Sequence, residues 1–327
     1  MKYWQKVCAV ICTPIVLVAC GGDSSSSSSS GSASVSFSVS DAPVDSADEV
    51  VIAFDQIELV DGEGESTLID VSSEDGTLDY IQVDLLEYQG ENSLMIVSDQ
   101  AVPVGSYDNL ILHISAESGL NYVIDNNGQQ ALKQPSNKLR LGAFEVTTED
   151  VQAFTIEFDL RSSLVMRGNQ NNNNGYILKP HGVSIVNNAT SASLSGTVDT
   201  NLFDEGDCST QDGNMIYLYS GIGLDANNLI DLVDPDDEEF SGDPAIPDDA
   251  IVPIGSTEAG DDGSYSFGFL EAGSYTAVFV CDGNSDDSVE HDPDIVIPAA
   301  PTGNSPGEKL GEVTLAAGDS GILNFDY

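Results

Sequence analysis

Apolar residues in this chain recur at every second position over short stretches, a period that builds strands and leaves little room for long amphipathic helices. Val35-Ser36-Phe37-Ser38-Val39, Glu49 to Phe54, Gln56 to Val60 and Tyr80 to Leu85 follow it, each bounded by Gly, Asp, Asn or Pro. The pattern returns in Asn109 to Ile114, Ala153 to Leu160 and Tyr176 to Pro180. Successive side chains of a strand point to opposite faces, so each stretch offers one apolar row to a core. Only Leu85 to Tyr88 and Ser162 to Met166 suggest a short helix or turn. The expectation is an all-β chain, folded as two antiparallel β-sandwich domains in tandem.

Charge narrows the partners. Nine Lys+Arg stand against 55 Asp+Glu in 327 residues, a net charge of -46. Such a surface repels polyphosphate backbones, which excludes nucleic acid as a partner. Hydrophobic residues still make up 40%, enough for packed cores despite the acidity. Residues 191–327 hold 29 of the acids with Lys309 as their one base, so acidity is spread over both halves. That spread favours a solvated acidic surface over one concentrated binding site.

The first twenty residues carry an address. Lys2 and Lys6 precede an apolar run from Val7 to Val18, broken only by Cys12, Thr13 and Pro14. This is the charged-then-apolar layout of a secretory signal, and it is too short to span a bilayer. Leu17-Val18-Ala19-Cys20-Gly21-Gly22 resembles the bacterial lipobox. The resemblance implies a signal peptide over residues 1–19, lipidation of Cys20, and a membrane partner reached through acyl chains. An ordinary signal peptide with an incidental Cys is the alternative. Gly21 rather than Asp after Cys20 points, by analogy with Gram-negative sorting, to the outer membrane. Residues 20–34, nearly all Gly and Ser after Cys20, are expected to form a flexible tether. Cys8 and Cys12 leave with the signal, so Cys208 and Cys281 remain for one disulfide in an oxidising compartment. Two buried thiols are the competing reading.

Val39-Ser40-Asp41-Ala42-Pro43, Val50 to Leu59, Gly105-Ser106-Tyr107, Lys138-Leu139, Phe158 to Val165 and Leu178-Lys179-Pro180 together resemble domain of unknown function 4382. The resemblance covers residues 35–188, and the family supplies no activity to carry over. It implies a bacterial secreted lipoprotein, often with a second sandwich behind it. In residues 191–327, Ala192 to Val198, Met215 to Tyr219 and Asp262 to Val278 resemble a carboxypeptidase-regulatory-like (transthyretin-like) sandwich. Asp262-Gly263 is expected to turn into a strand of alternating aromatics, and Gly273 into its hairpin partner. Late strands are expected at Gly311 to Leu315 and Ile322 to Phe325. Asp225 to Ile254 is expected to be solvated padding rather than an interaction loop. Tyr217, Tyr219, Tyr265 and Tyr275 are expected in the core.

Candidate chemistry is sparse. His113, His181 and His291 lack zinc spacing, and the His291 to Asp294 run is expected to be an exposed polar loop rather than part of a metal site. No Gly-x-Ser-x-Gly elbow occurs, so no nucleophile is assigned. Asp282, Asn284, Asp286 and Ser288 alternate as hard oxygen ligands for calcium. However, Asp287 and Pro293 stand where an EF-hand has Gly and Glu. Asp282, Asn284 and Asp286 are therefore metal candidates only, and no cofactor other than calcium is expected. Asp234 to Glu239 and the pair Asp261-Asp262 are further acidic clusters. Lys133, Lys138, Arg140, Arg161, Arg167 and Lys179 either form a basic face or pair with acids such as Glu157 and Asp159. Anchor, tether and the lack of a catalytic set predict a non-enzymatic envelope lipoprotein for surface interaction or adhesion. A carbohydrate-binding module, with or without calcium, and a hydrolase with an unrecognised site are the alternatives. A glycan or an envelope protein is the expected partner.

Overall fold

The computed structural model describes residues 31–42, 47–134, 136–147, 151–169, 172–203, 213–237, 240–281, 283–295, 297 and 309–327. Cys20 and Cys208, and with them the anchor and one half of the expected disulfide, lie outside these residues, as does Asp282. Gly31 to Tyr327 form one compact unit. No helix among the described residues is long and apolar enough to cross a membrane.

The first half runs β1 (Ser32–Ala42), β2 (Glu49–Asp61), β3 (Ser66–Asp70), β4 (Ile81–Asp84), β5 (Leu94–Pro103), β6 (Gly105–Ile114) and β7 (Tyr122–Asp125). It continues through β8 (Gly128–Lys133), β9 (Lys138–Arg140), β10 (Phe144–Val146), β11 (Val151–Asp159), α1 (Leu160–Ser163), β12 (Leu164–Asn169), β13 (Asn172–Leu178) and β14 (Val183–Asn187). The second half is β15 (Ala192–Thr197), β16 (Met215–Ser220), β17 (Gly255–Glu258), β18 (Ser264–Leu270), β19 (Gly273–Val280), β20 (Leu310–Leu315) and β21 (Ser320–Ile322). The chain is all-β, as the period of two predicted. The helical turn expected at Leu85 to Tyr88 forms at Leu85–Glu87, whereas the one expected at Ser162 to Met166 lies earlier, as α1, and Leu164 to Met166 are strand; further 3-10 turns stand at Thr200–Leu202, Ala226–Asn228 and Gly283–Ser285.

Strands of the first half pair in the orders β14-β11-β1-β5 and β10-β6-β2-β7-β8-β13-β12, with β3 and β4 on β2 and β9 on β6. Their inward rows form one core that includes Val35, Phe37, Val39, Ile52, Phe54, Phe154, Ile156 and Phe158. The second half closes a three-stranded sheet, β18-β15-β21, on a four-stranded one, β17-β16-β19-β20. Its core includes Leu194, Ile216, Leu218, Tyr265, Phe267, Phe279 and Phe325.

Several departures from the expected pattern have local causes. β1 begins at Ser32, inside the stretch assigned to the tether, because Ser32 to Val35 ladder onto Pro103 to Gln100 of β5. Gly/Ser composition lowers strand propensity without preventing pairing to a ready edge. The stretches before and after Asp55 are one thirteen-residue strand, β2. Its register against β6 shifts between Phe54 and Gln56, and that irregularity resets the alternation. The sheets are not purely antiparallel: β1 pairs with β11, β8 with β13 and β15 with β21 in parallel.

Asp262-Gly263 does turn the chain, and Gly263 is required there. Its φ is 81°, and a Cβ would lie 2.1 Å from the Val198 carbonyl oxygen. The expected β18–β19 hairpin does not form, because the two strands belong to opposite sheets. Phe269, at φ 45°, sits where the chain leaves one sheet for the other. Tyr265 and Phe267 therefore face β19 across the core instead of lying beside it.

Asp225 to Ile254 is padding only in part: residues 229–234 are buried, while most of the described residues from 235 to 250 are exposed. Leu229, Ile230, Leu232 and Val233 are buried. Leu229 joins Met215, Tyr217, Tyr219, Val278, Val280 and Ile295 in a second core on the outer face of β16 and β19. Strands of a sheet with both faces covered read as continuous apolar runs, which is how Met215 to Tyr219 and Ala277 to Val280 are written. All four candidate tyrosines, Tyr217, Tyr219, Tyr265 and Tyr275, are buried.

Candidate functional site

The two halves meet on α1. Asp159 caps this turn, accepting from the Ser162 amide at 3.3 Å and the Ser162 hydroxyl at 3.0 Å. The cap holds Arg161 so that its guanidinium crosses into the second half. There Nη2 donates to the Gly283 carbonyl at 2.7 Å and stands 3.9 Å from Asp286 Oδ2. The same guanidinium lies 5.8 Å from the centroid of the Tyr217 ring. Lys179 pairs with Asp237, and His181 Nδ1 lies 3.8 Å from Asp234 Oδ1, so a second row of contacts flanks the first. Arg161 and Lys179 reach carboxylates of the other half, and the Arg161 charge also acts on Asp159, one of the expected acids. Lys138 pairs with Glu58 at 3.1 Å. No basic face is made from these three.

Behind Arg161 lies an acidic centre. Carboxylate oxygens of Asp231, Asp286 and Asp292 all lie within 4.8 Å of one another. Asp231 comes from the buried Leu229-Val233 run, Asp286 from the loop after β19, and Asp292 from the same loop six residues on. Asp231 is almost wholly buried and holds the cluster together. Its Oδ1 meets His291 Nδ1 at 2.6 Å, and its Oδ2 accepts the Asp292 amide at 2.6 Å. Asp292 Oδ2 accepts the Asp287 amide at 2.6 Å. Tyr217 donates its hydroxyl to Asp286 Oδ2, which also takes the Leu232 amide at 3.4 Å. The Asp286 side chain is closed to solvent, and its Oδ1 has no hydrogen-bond partner.

Burial dominates the titration here. It pushes the Asp286 carboxyl up to about 7, against the opposing pull of Arg161 and of the Tyr217 hydrogen bond. Asp292 is raised for the same first reason. Burial, then the Asp286 charge, holds the Tyr217 phenol well above its ordinary value.

Of the sequence candidates, Asp286 belongs to this centre. Asn284 is exposed. His291, expected in an exposed loop, is 8% exposed and bonded to Asp231. A His-Asp-Pro-Asp run is polar by composition, but two of its members turn inward onto one buried acid. Asp231 was missed, and Asp292 was set aside with the His291 to Asp294 run as part of an exposed loop. Asp231 carried a signal, being a lone acid inside the apolar run Leu229-Ile230-Asp231-Leu232-Val233. A charge in such a setting is paired or ligating.

A second polar feature opens between the halves, a cavity of about 450 Å³. Asp41, Glu157 and Asp159 line it from the first half; Ser256, Phe267, Phe269 and Tyr275 line it from the second. Close backbone contact shapes it, since a Cβ on Gly268 would stand 2.0 Å from the Gly90 carbonyl oxygen. Asp41 is fully buried, and neither of its carboxylate oxygens has a hydrogen-bond partner of normal geometry. Burial, then Glu157 and Asp159, raises the Asp41 carboxyl well above the ordinary range. Burial lifts Glu157 to about 8, and Asp159 is raised by burial as well. Each histidine faces a carboxylate: His113 Nε2 meets Glu58 at 2.9 Å, His181 faces Asp234, and His291 holds Asp231.

Residues 32–180 match the family described as a domain of unknown function, DUF4382. No curated protein matches the chain. Among solved structures, the Bacillus anthracis TIE protein is similar at 11% identity and a TM-score of 0.20, over 90% of this chain and 34% of that one. A leucine-rich repeat protein from Bacteroides thetaiotaomicron VPI-5482 shows 8% identity and a TM-score of 0.21, over 90% and 26%. Shaft pilin SpaA from Lactobacillus rhamnosus GG shows 9% identity and a TM-score of 0.20, over 90% and 97%. The chain thus spans about a third and a quarter of the length of the first two. TM-scores of this size carry no argument about activity, and the all-β class rests on the strands themselves.

Proposed function

We propose that this chain is a non-enzymatic cell-envelope lipoprotein, anchored through Cys20, that displays two joined β domains for surface interaction or adhesion. The observation that carries the reading is the junction: Arg161 and Lys179 cross from one sandwich to acids of the other. A buried, charge-assisted junction resists the relative motion expected of loosely linked domains, and rigidity suits display more than a hinged catalytic cleft. The lipobox-like leader and the Ser tract support the anchor and the tether, with the outer membrane as destination. A Cys208–Cys281 disulfide is supported by the bonded state of Cys281 and by its packing on the second core.

The test is metabolic labelling with a palmitate analogue in a Gram-negative host, followed by protease shaving of intact cells. Label in the wild type that disappears in Cys20→Ala, with the protein cleaved from outside, is the expected result. Persistence of the label in Cys20→Ala overturns the anchor, and complete protection from protease overturns surface display.

Carbohydrate binding is the second reading, favoured by the cavity between the sandwiches. Asp41, Glu157, Phe269 and Tyr275 combine hydrogen-bonding carboxyls with aromatic surface, the two kinds of group that read sugar hydroxyls and ring faces. A glycan array separates the readings. A saturable hit weakened by Glu157→Ala makes the module a glycan binder, and silence leaves a protein partner.

A further inference from the structure

Three carboxylates are brought together by loops that a solvated surface would not need to order. We propose that Asp231, Asp286 and Asp292 bind a divalent cation, calcium by the chemistry of the ligands.

The first observation is convergence. Two segments about fifty residues apart in the chain bring carboxylate oxygens within 4.8 Å, where like charges repel strongly away from water. The second is independent of the cluster's acidity: Asp286 Oδ1 is sealed from solvent and accepts no hydrogen bond. Buried carboxylate oxygens are ordinarily satisfied, and one that is not calls for a ligand. A divalent ion set among the three carboxylates would offset their mutual repulsion, with the Arg161 guanidinium 3.9 Å from Asp286 on one side.

The ligand set selects the kind of ion. All three groups are hard oxygen donors, and the irregular loops can add carbonyl or water ligands, which suits calcium better than the strict octahedron of magnesium. His291 does not compete as a ligand through Nδ1, because that atom is engaged by Asp231. It orients the carboxylate from behind, a role common around metal sites. The ion would also tie the buried Leu229-Val233 run to the loop whose Gly283 carbonyl receives Arg161, and so brace the junction. This proposal stands independently of the adhesion reading.

The test uses the full-length protein purified in detergent, stripped with EGTA and titrated with terbium. Tyr217 touches Asp286, so terbium in this site is excited through the tyrosine. The expected result is one sensitised equivalent per chain, displaced by calcium, with a calcium-dependent rise in melting temperature. Asp292→Asn, at a half-exposed position that tolerates the amide, is expected to weaken binding at least tenfold while keeping the far-UV spectrum. Asp231→Asn is the stronger variant if it folds. Asp261→Asn, on the exposed acidic surface, is expected to leave binding unchanged. Absence of a saturable signal overturns the proposal. Equal binding by Asp292→Asn, or equal loss in Asp261→Asn, overturns it too, because either outcome means diffuse attraction to an acidic surface.

Discussion

The two sandwiches solve burial differently. The first covers its core with sheet on sheet, and its strand β2 keeps polar side chains such as Gln56 and Glu58 on the face away from that core. The second has a four-stranded sheet that is apolar on both faces. One face lies against β15, β18 and β21, and the other lies under loops carrying Leu229 and Ile295. The difference explains why acids behave differently in the two places. Glu58, on an open sheet face, accepts from Ser66, His113 and Lys138, and these bonds pull its carboxyl down to about 2. Asp286, under the loops of the second sandwich, is pushed the other way by burial. Loops recruited as a core layer bring their acids inside with them.

The largest effects should come from emptying the two cores of the second sandwich. Phe279→Ala, between its sheets, is expected to cost about 3–5 kcal/mol, and Leu229→Ala, under the loop, about 2–5 kcal/mol. Chemical denaturation measures both. A Leu229→Ala cost within about 0.5 kcal/mol, the size usual for surface changes, would return residues 229–233 to padding as well. Arg161→Ala comes next, because it strands Asp286 and the Gly283 carbonyl; breaking one partner of a buried pair costs about 3–5 kcal/mol. Calorimetry should then resolve two melting transitions where the wild type has one. A single unshifted transition would mean that the halves are not coupled through this side chain.

The pH dependence sharpens the comparison further. Glu157 has a folded-state value of about 8, raised above its ordinary 4.5, so the folded protein holds a proton that the unfolded chain releases. Its contribution is therefore fully present below about pH 4.5 and is lost as pH rises towards 8. Asp41 and Asp159 are raised as well and act in the same direction. Glu58 is depressed from 4.5 to about 2, so its contribution is present above pH 4.5 and is lost as pH falls towards 2. Melting temperature against pH in Glu157→Gln should lose part of the alkaline decline while keeping the acid limb. Identical profiles would place Glu157 in water. The smallest effect is expected at the open face, where Lys138→Met should cost under about 1 kcal/mol because exposed ion pairs contribute little.

Much of the fold was written in the local pattern. Val35, Phe37 and Val39 alternate inward in β1, and the apolar runs of β16 and β19 fit a sheet covered on both sides. The Asp262-Gly263 turn was legible because only Gly fits that backbone beside Val198. The destination of the strand after that turn was not, since a tight turn does not say whether the chain pairs back or crosses to the facing sheet. The acidic centre was half legible. Asp286 stood out by alternation, whereas Asp231 and Asp292 became its neighbours only when a loop folded over β16.

By itself, then, the sequence determined the all-β class, the positions of many of the strands, the leader motif and the strongly acidic composition. Each follows from a period, a local motif or a count, and none depends on what lies far away in the chain. Only the tertiary structure decided that Arg161 joins the two sandwiches, that residues 229–233 form a core layer, and that three acids face one another. Those are contacts across tens to more than a hundred residues, fixed by how sheets and loops pack and not by anything written beside the residues that make them.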